Sequence, residues 1–325
     1  MHSARKIAAV FVSSVLSFCF LIVSPQANFP AQDLDAQATL RGIQLYEQGN
    51  TPEAIKLLRA VVAKRTEDAD AWYFLGLALY REGLFLQARP AFEKLITLRP
   101  DSADARAKLA FTLILNNESQ RANAMAQRAL ELGDLSAEAH YAIAEASLRG
   151  GAPAKAIEEA ETTLRINPGF ASALVTRSFA QYNLKQYAEA KASLEQFLAL
   201  SPNDLDAEAW RGQLEELSAL TYPSSNQPSP AFSSRDVTQK ARVLAKPEPT
   251  YTEAARKAGV TGTVVIRAIF SADGEVTHIL VIRALGYGLT TQSIKAAHRI
   301  KFAPSIKDGQ PVATQMMLEY NFNLY

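Results

Sequence analysis

The sequence predicts an α+β chain of two modules, an all-helical repeat array followed by a small module with a three-stranded antiparallel sheet. Three observations indicate this. Alanine recurs every 34 residues from position 54 to position 190 with no insertion. A stretch rich in proline and serine, 221–239, follows the array. The last residues, 312–324, alternate apolar and polar side chains, which is typical of a strand with one buried face.

The composition is that of a folded protein with room for two cores. Hydrophobic residues make up 48% and charged residues 21% of the 325 residues. Residues 28–239 carry 21 Lys/Arg against 27 Asp/Glu, whereas residues from 240 onward carry 11 against 6. An acidic body joined to a basic module indicates two modules with different partners, and neither balance is large enough to indicate nucleic acid. Cys19 is the single cysteine and precedes both modules, so neither can contain an internal disulfide.

The first 27 residues indicate export. Arg5 and Lys6 precede an uncharged apolar run, 7–23, and a basic flank before an apolar run is typical of a secretory signal. The run is longer than most signal cores and at the short limit for a membrane span. Pro25 fits poorly with cleavage after Ala27. A signal peptide and an uncleaved inner-membrane anchor both stay open, and both predict a location in the periplasm or cell envelope.

Five helical pairs are expected between residues 35 and 204, followed by a capping helix at 205–220 that contains Trp210. With repeats beginning at 35, 69, 103, 137 and 171, the fifteenth residues are Gly49, Gly83, Asn117, Gly151 and Lys185. Gly and Asn tolerate the left-handed conformation that ends a helix. This position is therefore expected to separate the two helices in four of the five repeats.

The 34-residue pattern resembles the tetratricopeptide repeat (TPR), most clearly in the copy that contains Trp72, Leu75, Gly76, Ala88, Phe92 and Pro100. The resemblance implies a superhelix whose first helices line a concave groove. The groove positions are occupied by Tyr46, Tyr73, Leu77, Tyr80, Phe111, Tyr141, Phe179 and Tyr182. Exposed aromatic residues in a concavity favour a peptide or apolar ligand, while packing between neighbouring repeats is the alternative. Both interpretations stay open.

After a semi-extended linker at 221–239, able to separate the modules by several tens of Å, residues 240–325 are expected to fold separately. The expected elements are a helix at 252–258, strands at 262–270 and 276–282, a helix at 289–300 and a final strand at 312–324. Asp273-Gly274 predicts the hairpin turn between the first two strands, because such turns need positive φ. Thr290 or Thr291 is expected to cap the second helix.

This module resembles the C-terminal domain of the energy transducer TonB family of Gram-negative bacteria. The resemblance rests on Lys246-Pro247-x-Pro249-x-Tyr251, Ala255-Arg256-x-x-Gly259, Gly262-x-Val264, Asp273-Gly274-x-Val276 and Phe302-x-Pro304. Thr252 stands where the family usually has proline after the tyrosine. The resemblance implies that an extended receptor segment, the TonB box, adds as a strand beside the last strand of the domain.

Carried onto this chain, the partner-binding edge is formed by Thr314, Gln315, Met316, Met317, Leu318, Glu319 and Tyr320, with Pro249 and Tyr251 at the entrance. Strand addition needs unpaired backbone donors and acceptors, which almost any side chain permits. The alternative is that this strand only completes the sheet or pairs with a second copy as a homodimer. Coupling to the inner-membrane proteins ExbB and ExbD stays open, because the apolar run 7–23 has serines but no histidine.

No catalytic, metal or cofactor site is predicted. The histidines are His2, His140, His278 and His298, and they lack metal-ligand spacing. No glycine-rich phosphate loop or nucleophile elbow is present in the sequence. The sequence therefore predicts a periplasmic, TonB-like adaptor for transmembrane transport that contacts an outer-membrane TonB-dependent receptor, with a further protein ligand on the repeats. The alternative is a periplasmic TPR scaffold whose C-terminal module serves dimerisation and is not coupled to the proton-motive force.

Overall fold

The computed structural model describes residues 31–221 and 231–324. The predicted signal or anchor, 1–27, and residues 222–230 of the predicted linker lie outside the described residues. Within these two ranges, no helix is both long enough and apolar enough to cross a membrane.

The N-terminal module is a stack of helical pairs, as expected. The pairs are α1 (Ala31–Glu47) with α2 (Thr51–Lys64), α3 (Ala69–Arg81) with α4 (Phe85–Leu98), α5 (Ala103–Leu115) with α6 (Ser119–Glu131), α7 (Ala137–Arg149) with α8 (Pro153–Ile166), and α9 (Ala171–Asn183) with α10 (Tyr187–Leu200). A final helix, α11 (Ala207–Thr221), covers the last pair. The fifteenth residue has positive φ in every repeat, including Lys185 at φ 61°. The left-handed break is therefore a property of the position and not only of glycine.

Small residues allow the helices of each pair to approach closely. The alanines that define the 34-residue period, from Ala54 to Ala190, are all fully buried. Gly76 in α3 faces Phe92 in α4, and a Cβ atom on Gly76 would lie 2.7 Å from the phenyl ring. Since the ring has no room to move within a packed core, any larger side chain at position 76 would separate the two helices.

The C-terminal module contains the expected elements in the expected order. They are α12 (Glu253–Ala258), β2 (Gly262–Phe270), β3 (Val276–Arg283), α13 (Leu289–His298) and β7 (Thr314–Phe322). The three long strands form an antiparallel sheet in the order β3-β2-β7. Two short ribbons were not predicted, because strands of three or four residues carry too little alternation: β1 (Arg242–Ala245) pairs with β4 (Lys301–Ala303), and β5 (Ser305–Lys307) pairs with β6 (Gln310–Val312).

The cap of α13 differs from the expectation. The helix begins at Leu289, so Thr290 and Thr291 lie inside its first turn, and the prediction that one of them caps it is wrong. The Thr290 hydroxyl instead donates to Leu285 O, 2.5 Å away. The cap comes from the other module, where the Asp206 carboxylate accepts the N–H of Gly288 and of Thr291, each at 2.8 Å. A carboxylate at this end of a helix satisfies orphan N–H groups and complements the helix dipole.

The two modules pack against each other, which differs from the separation expected of an extended linker. One hydrophobic cluster contains Phe179 and Trp210 of the array together with Val264 and Leu289 of the C-terminal module. A backbone hydrogen bond also crosses the boundary, from Thr261 N–H to Leu115 O at 2.9 Å.

Candidate functional site: the outer edge of β7

The side chains of β7 alternate strictly between the core and solvent. Thr314, Leu318, Tyr320 and Phe322 are buried, whereas Gln315, Met317, Glu319 and Asn321 are exposed. This follows the predicted alternation, since the even positions face the helices of the module. The strand lies at one end of the order β3-β2-β7, and among the described residues β2 is its only strand neighbour.

Two contacts show which backbone groups of β7 point away from β2. The N–H of Gln315 donates to Phe232 O at 3.1 Å. The carbonyl of Glu319 accepts the Lys246 ammonium at 2.6 Å. Because the N–H and C=O of one strand residue point to the same side, the odd positions 315, 317, 319 and 321 direct their backbone groups to the outer edge.

A run of these outward groups is free for pairing. Within the described ranges, no hydrogen bond is formed by the N–H of Met317, Glu319 or Asn321, or by the C=O of Met317 or Asn321. The Met317 side chain beside them is 51% exposed. A cleft of about 370 Å³ lies at the start of this edge, between Gln315, Met316 and Met317 on one side and Ser234, Lys240 and Ala241 on the other. Free donors and acceptors at strand spacing, beside an open cleft, are what an added strand requires.

The opposite edge of the sheet is closed by the repeat array. The Gln213 side chain in α11 accepts the N–H of Val281 at 2.8 Å and donates to the carbonyl of the same residue at 3.3 Å. The amide thus occupies the positions that a strand beside β3 would need. At Val281, therefore, the outer edge of β3 is occupied by the repeat array, whereas the outward backbone groups of Met317 and Asn321 in β7 have no partner within the described ranges.

The predicted entrance residues lie at the far end of β7. Tyr251 donates its hydroxyl hydrogen bond to Val260 O, and its ring centroid lies 5.6 Å from that of Phe322. Burial raises the pKa of Tyr251, so the hydroxyl stays protonated and keeps this bond. Pro249 is half-buried two residues earlier. The pair lies beside the start of α12, and within the described ranges Tyr251 forms no hydrogen bond with residues 317–321.

The predicted groove residues are not exposed, since Tyr141 and Phe179 are buried and the other six are half-buried. Most of them contact other aromatic rings, with centroid separations of 5.6 Å for Tyr80–Phe111 and 5.7 Å for Phe111–Tyr141. Phe111 and Tyr141 also line a cavity of about 360 Å³ together with Leu285 and Tyr287 of the C-terminal module. This stretch of the groove therefore faces the chain's own C-terminal module, and ligand binding by the groove stays a prediction.

The histidines of the described residues have ordinary structural partners. His140 Nδ1 lies 2.7 Å from Glu159 Oε2, in agreement with a structural role. His298 Nδ1 lies 3.1 Å from Val276 O, and His278 Nδ1 lies 3.4 Å from Glu216 Oε1 across the module boundary. No three metal-ligating side chains come together within 31–221 and 231–324. Each of these three histidines thus joins its own element to a neighbouring one.

The Asp206 carboxyl, which joins the two modules, has a raised pKa. Burial raises its pKa from 3.8 to about 6, against the lowering effect of the Thr291 and Gly288 N–H groups, and nearby Asp204 raises it further. A raised carboxyl pKa means that its contribution to stability is full below pH 3.8 and is lost as the pH rises through about 6.

We expect the free energy of unfolding of the native chain, relative to Asp206→Asn, to fall by about 1 kcal/mol from pH 5 to pH 7. The two N–H groups bond to different carboxylate oxygens, so the asparagine keeps an acceptor for only one of them. It does not titrate in this range, and the test therefore rests on how the difference between the two proteins changes with pH. The measurement is urea unfolding of the two proteins at each pH. Parallel pH profiles would contradict the assignment of this titration to Asp206.

Comparison with known proteins agrees with this division of the chain. Residues 247–324 match the family model described as Gram-negative bacterial TonB protein C-terminal, and residues 39–110, 113–169 and 171–204 match tetratricopeptide repeat models. The chain therefore contains TPR repeats followed by a TonB C-terminal domain. Both families consist of protein-interaction domains.

Among curated proteins, the chain is similar to the protein TonB of Vibrio cholerae serotype O1, with 29% identity over 110 residues, which is 31% of this chain and 45% of that protein. The chain thus spans less than half the length of this relative. Among solved structures, a MamA protein is 22% identical over 61% of this chain and 100% of its own, with a TM-score of 0.43. YrrB is 18% identical over 54% of this chain and 90% of its own, with the same TM-score of 0.43.

Proposed function

We propose that this chain is a cell-envelope adaptor that binds an extended segment of an outer-membrane TonB-dependent transporter as a fourth strand beside β7. The transporter segment supplies backbone donors and acceptors, and the chain supplies the outward groups of Met317, Glu319 and Asn321. The repeat array holds the domain and binds a further protein through surfaces that the domain leaves open. Anchoring in the inner membrane and coupling to ExbB and ExbD belong to this proposal.

The observation that carries the proposal is the free run of backbone groups at 317–321, on the strand where the family resemblance places the TonB box. Two features support it. Gln213 closes the edge of β3, so an incoming strand has one edge of this sheet to join. The exposed side chains of Met317 and Glu319 leave the ladder accessible without any change in the core.

The affinity of this edge for a partner strand is expected to depend little on the amino-acid sequence of the partner. Most of the interaction comes from backbone hydrogen bonds, each of which contributes about 0.5–1.5 kcal/mol net. A strand that pairs with the three free residues therefore gains only a few kcal/mol, which suits a transient contact. Side chains of the partner that reach the cleft beside Met316 would add selectivity.

The test is nuclear magnetic resonance titration of the isotopically labelled chain, residues 28–325, with a synthetic TonB-box peptide. We expect the largest shift changes at the amides of Met317, Glu319 and Asn321, with slowed hydrogen exchange at these sites. A scrambled peptide with proline at alternate positions serves as the control, because it cannot form the ladder. Shift changes confined to the repeat array would contradict the proposal. Concentration-dependent changes at 317–321 without peptide would indicate self-association instead, as in the dimeric scaffold.

A further inference from the structure

We propose that Phe232 is an internal competitor for the outer edge of β7. It already pairs with this edge, and a partner strand must displace it in order to pair with the full length of β7. This inference rests on the proposed function, because it concerns the regulation of the same site. It concerns residues 231–236, the part of the predicted linker that the structure describes next to the sheet.

Phe232 already pairs with β7 as a strand would. Its N–H donates to Ala313 O at 2.9 Å, and its carbonyl accepts the N–H of Gln315 at 3.1 Å. One linker residue thus bonds to Ala313, which directly precedes β7, and to Gln315 within it, in a parallel bridge opposite Thr314. A partner strand that extended over the whole edge would need the same donor and the same acceptor.

Few contacts hold Phe232 at the edge of β7. Its ring lies 4.1 Å from the Lys307 ammonium, and it is the only residue of the linker that bridges to β7 within 231–239. The next residues leave the edge at once, because a turn joins Ser233 O to the N–H of Asp236 at 2.9 Å. A cation–π contact at a partly exposed site and two hydrogen bonds form a weak attachment.

The free run begins directly after this attachment. Met317 is the next outward residue beyond Gln315, so a partner strand can first pair at 317–321 and then advance toward Gln315 as Phe232 leaves. The first of these steps displaces Lys246, because its ammonium lies 2.6 Å from the outward carbonyl of Glu319 and 4.5 Å from the Tyr320 ring centroid. The segments on both sides of β1 therefore cover part of the edge.

An internal competitor reduces the apparent affinity of a ligand to the fraction of the intrinsic affinity that equals the fraction of time for which the site is free. If the attachment is populated about 90% of the time, its removal raises peptide affinity about tenfold, which corresponds to about 1.4 kcal/mol. Removal of the attachment also frees residues 231–237, which then lengthen the connection between the modules, whereas Thr238 still accepts the Asp308 N–H at 3.4 Å and Gln239 still pairs with Ile306.

The test compares Phe232→Pro and Phe232→Ala in the chain of residues 28–325. Proline removes the N–H that donates to Ala313, and alanine removes the ring that contacts Lys307. The matched control is Ser234→Pro, since the Ser234 N–H forms no hydrogen bond among the described residues and lies at the second position of a turn, where proline is favoured. The first readout is hydrogen exchange at the Gln315 amide without any ligand, and the second is calorimetric affinity for the TonB-box peptide.

We expect both Phe232 variants to speed exchange at Gln315 about tenfold and to bind the peptide about tenfold more tightly, while the control matches the native chain. Unchanged hydrogen exchange at Gln315 together with unchanged peptide affinity would overturn the role of Phe232 as a competitor. The proposal that the partner strand binds at the edge of β7 would still stand. Faster exchange at Gln315 with no peptide binding to any of the four proteins would overturn the proposed function and, with it, the role of Phe232 as a competitor.

Discussion

Proline at position 317 is expected to weaken binding of a TonB-box peptide about 10- to 100-fold, whereas alanine at the same position should change it less than about threefold. The Met317 N–H points to the outer edge and is free, so its loss leaves the β2–β7 ladder intact. The incoming carbonyl would lose its donor and face the pyrrolidine ring. The alanine variant keeps the N–H and removes only an exposed side chain.

Met316→Pro is the matched contrast to Met317→Pro. The backbone of Met316 faces Ala268 in β2, so proline there removes a bond inside the sheet and should lower the free energy of unfolding instead. Calorimetry for affinity and urea unfolding for stability separate the two effects. If Met317→Pro is folded and binds the peptide with native affinity, the outer edge of β7 is not the binding site.

Gly259→Ala is expected to separate the two modules, whereas Gly274→Ala should not. Both glycines have positive φ, 74° at Gly259 and 90° at Gly274, so alanine costs about 1–2 kcal/mol at either position. Only Gly259 lies against the array, where the new Cβ would be 2.6 Å from the Cβ of Leu86 in α4. Since that atom is attached directly to a helix backbone, rotation of the Leu86 side chain cannot relieve the contact.

The separation is measured by small-angle X-ray scattering, with urea unfolding to quantify the strain that the two variants share. An alanine at Gly274 meets no atom within 4 Å, so Gly274→Ala reports the strain alone. We expect a larger radius of gyration only for Gly259→Ala. Equal radii of gyration and equal unfolding midpoints for the two variants would contradict a docking role for the Gly259–Leu86 contact.

Periodic features of the chain were predictable, because a repeated pattern averages over the noise of single positions. The 34-residue spacing of alanine placed the helix pairs, and the even–odd alternation after Val312 placed the buried face of β7. Lys185 shows the limit of residue preference, since it takes the left-handed conformation that glycine or asparagine takes in the other repeats. There the position in the repeat outweighs the propensity of the side chain.

The contacts between the modules were not predictable from patterns. Gln213 and Asp206 bond to residues 68 and 82 positions away, and a single polar side chain carries no periodic signal that would indicate such a partner. The position of residues 231–239 was not predictable for a related reason. The proline and serine content of the linker indicates an extended chain, but one of its two aromatic residues, Phe232, pairs with β7.

The docking of the C-terminal module also constrains how the gene for this protein can change in length. The module contacts Leu86 in the second repeat, Leu115 in the third, and Asp206 and Gln213 after the fifth. Duplication or deletion of a repeat anywhere between these points would shift one set of contacts by a full superhelical step relative to the others. Ahead of α3, a repeat can be gained or lost without moving these contacts relative to one another. Variation in repeat number among descendants of this sequence should therefore accumulate at the N-terminal end of the array.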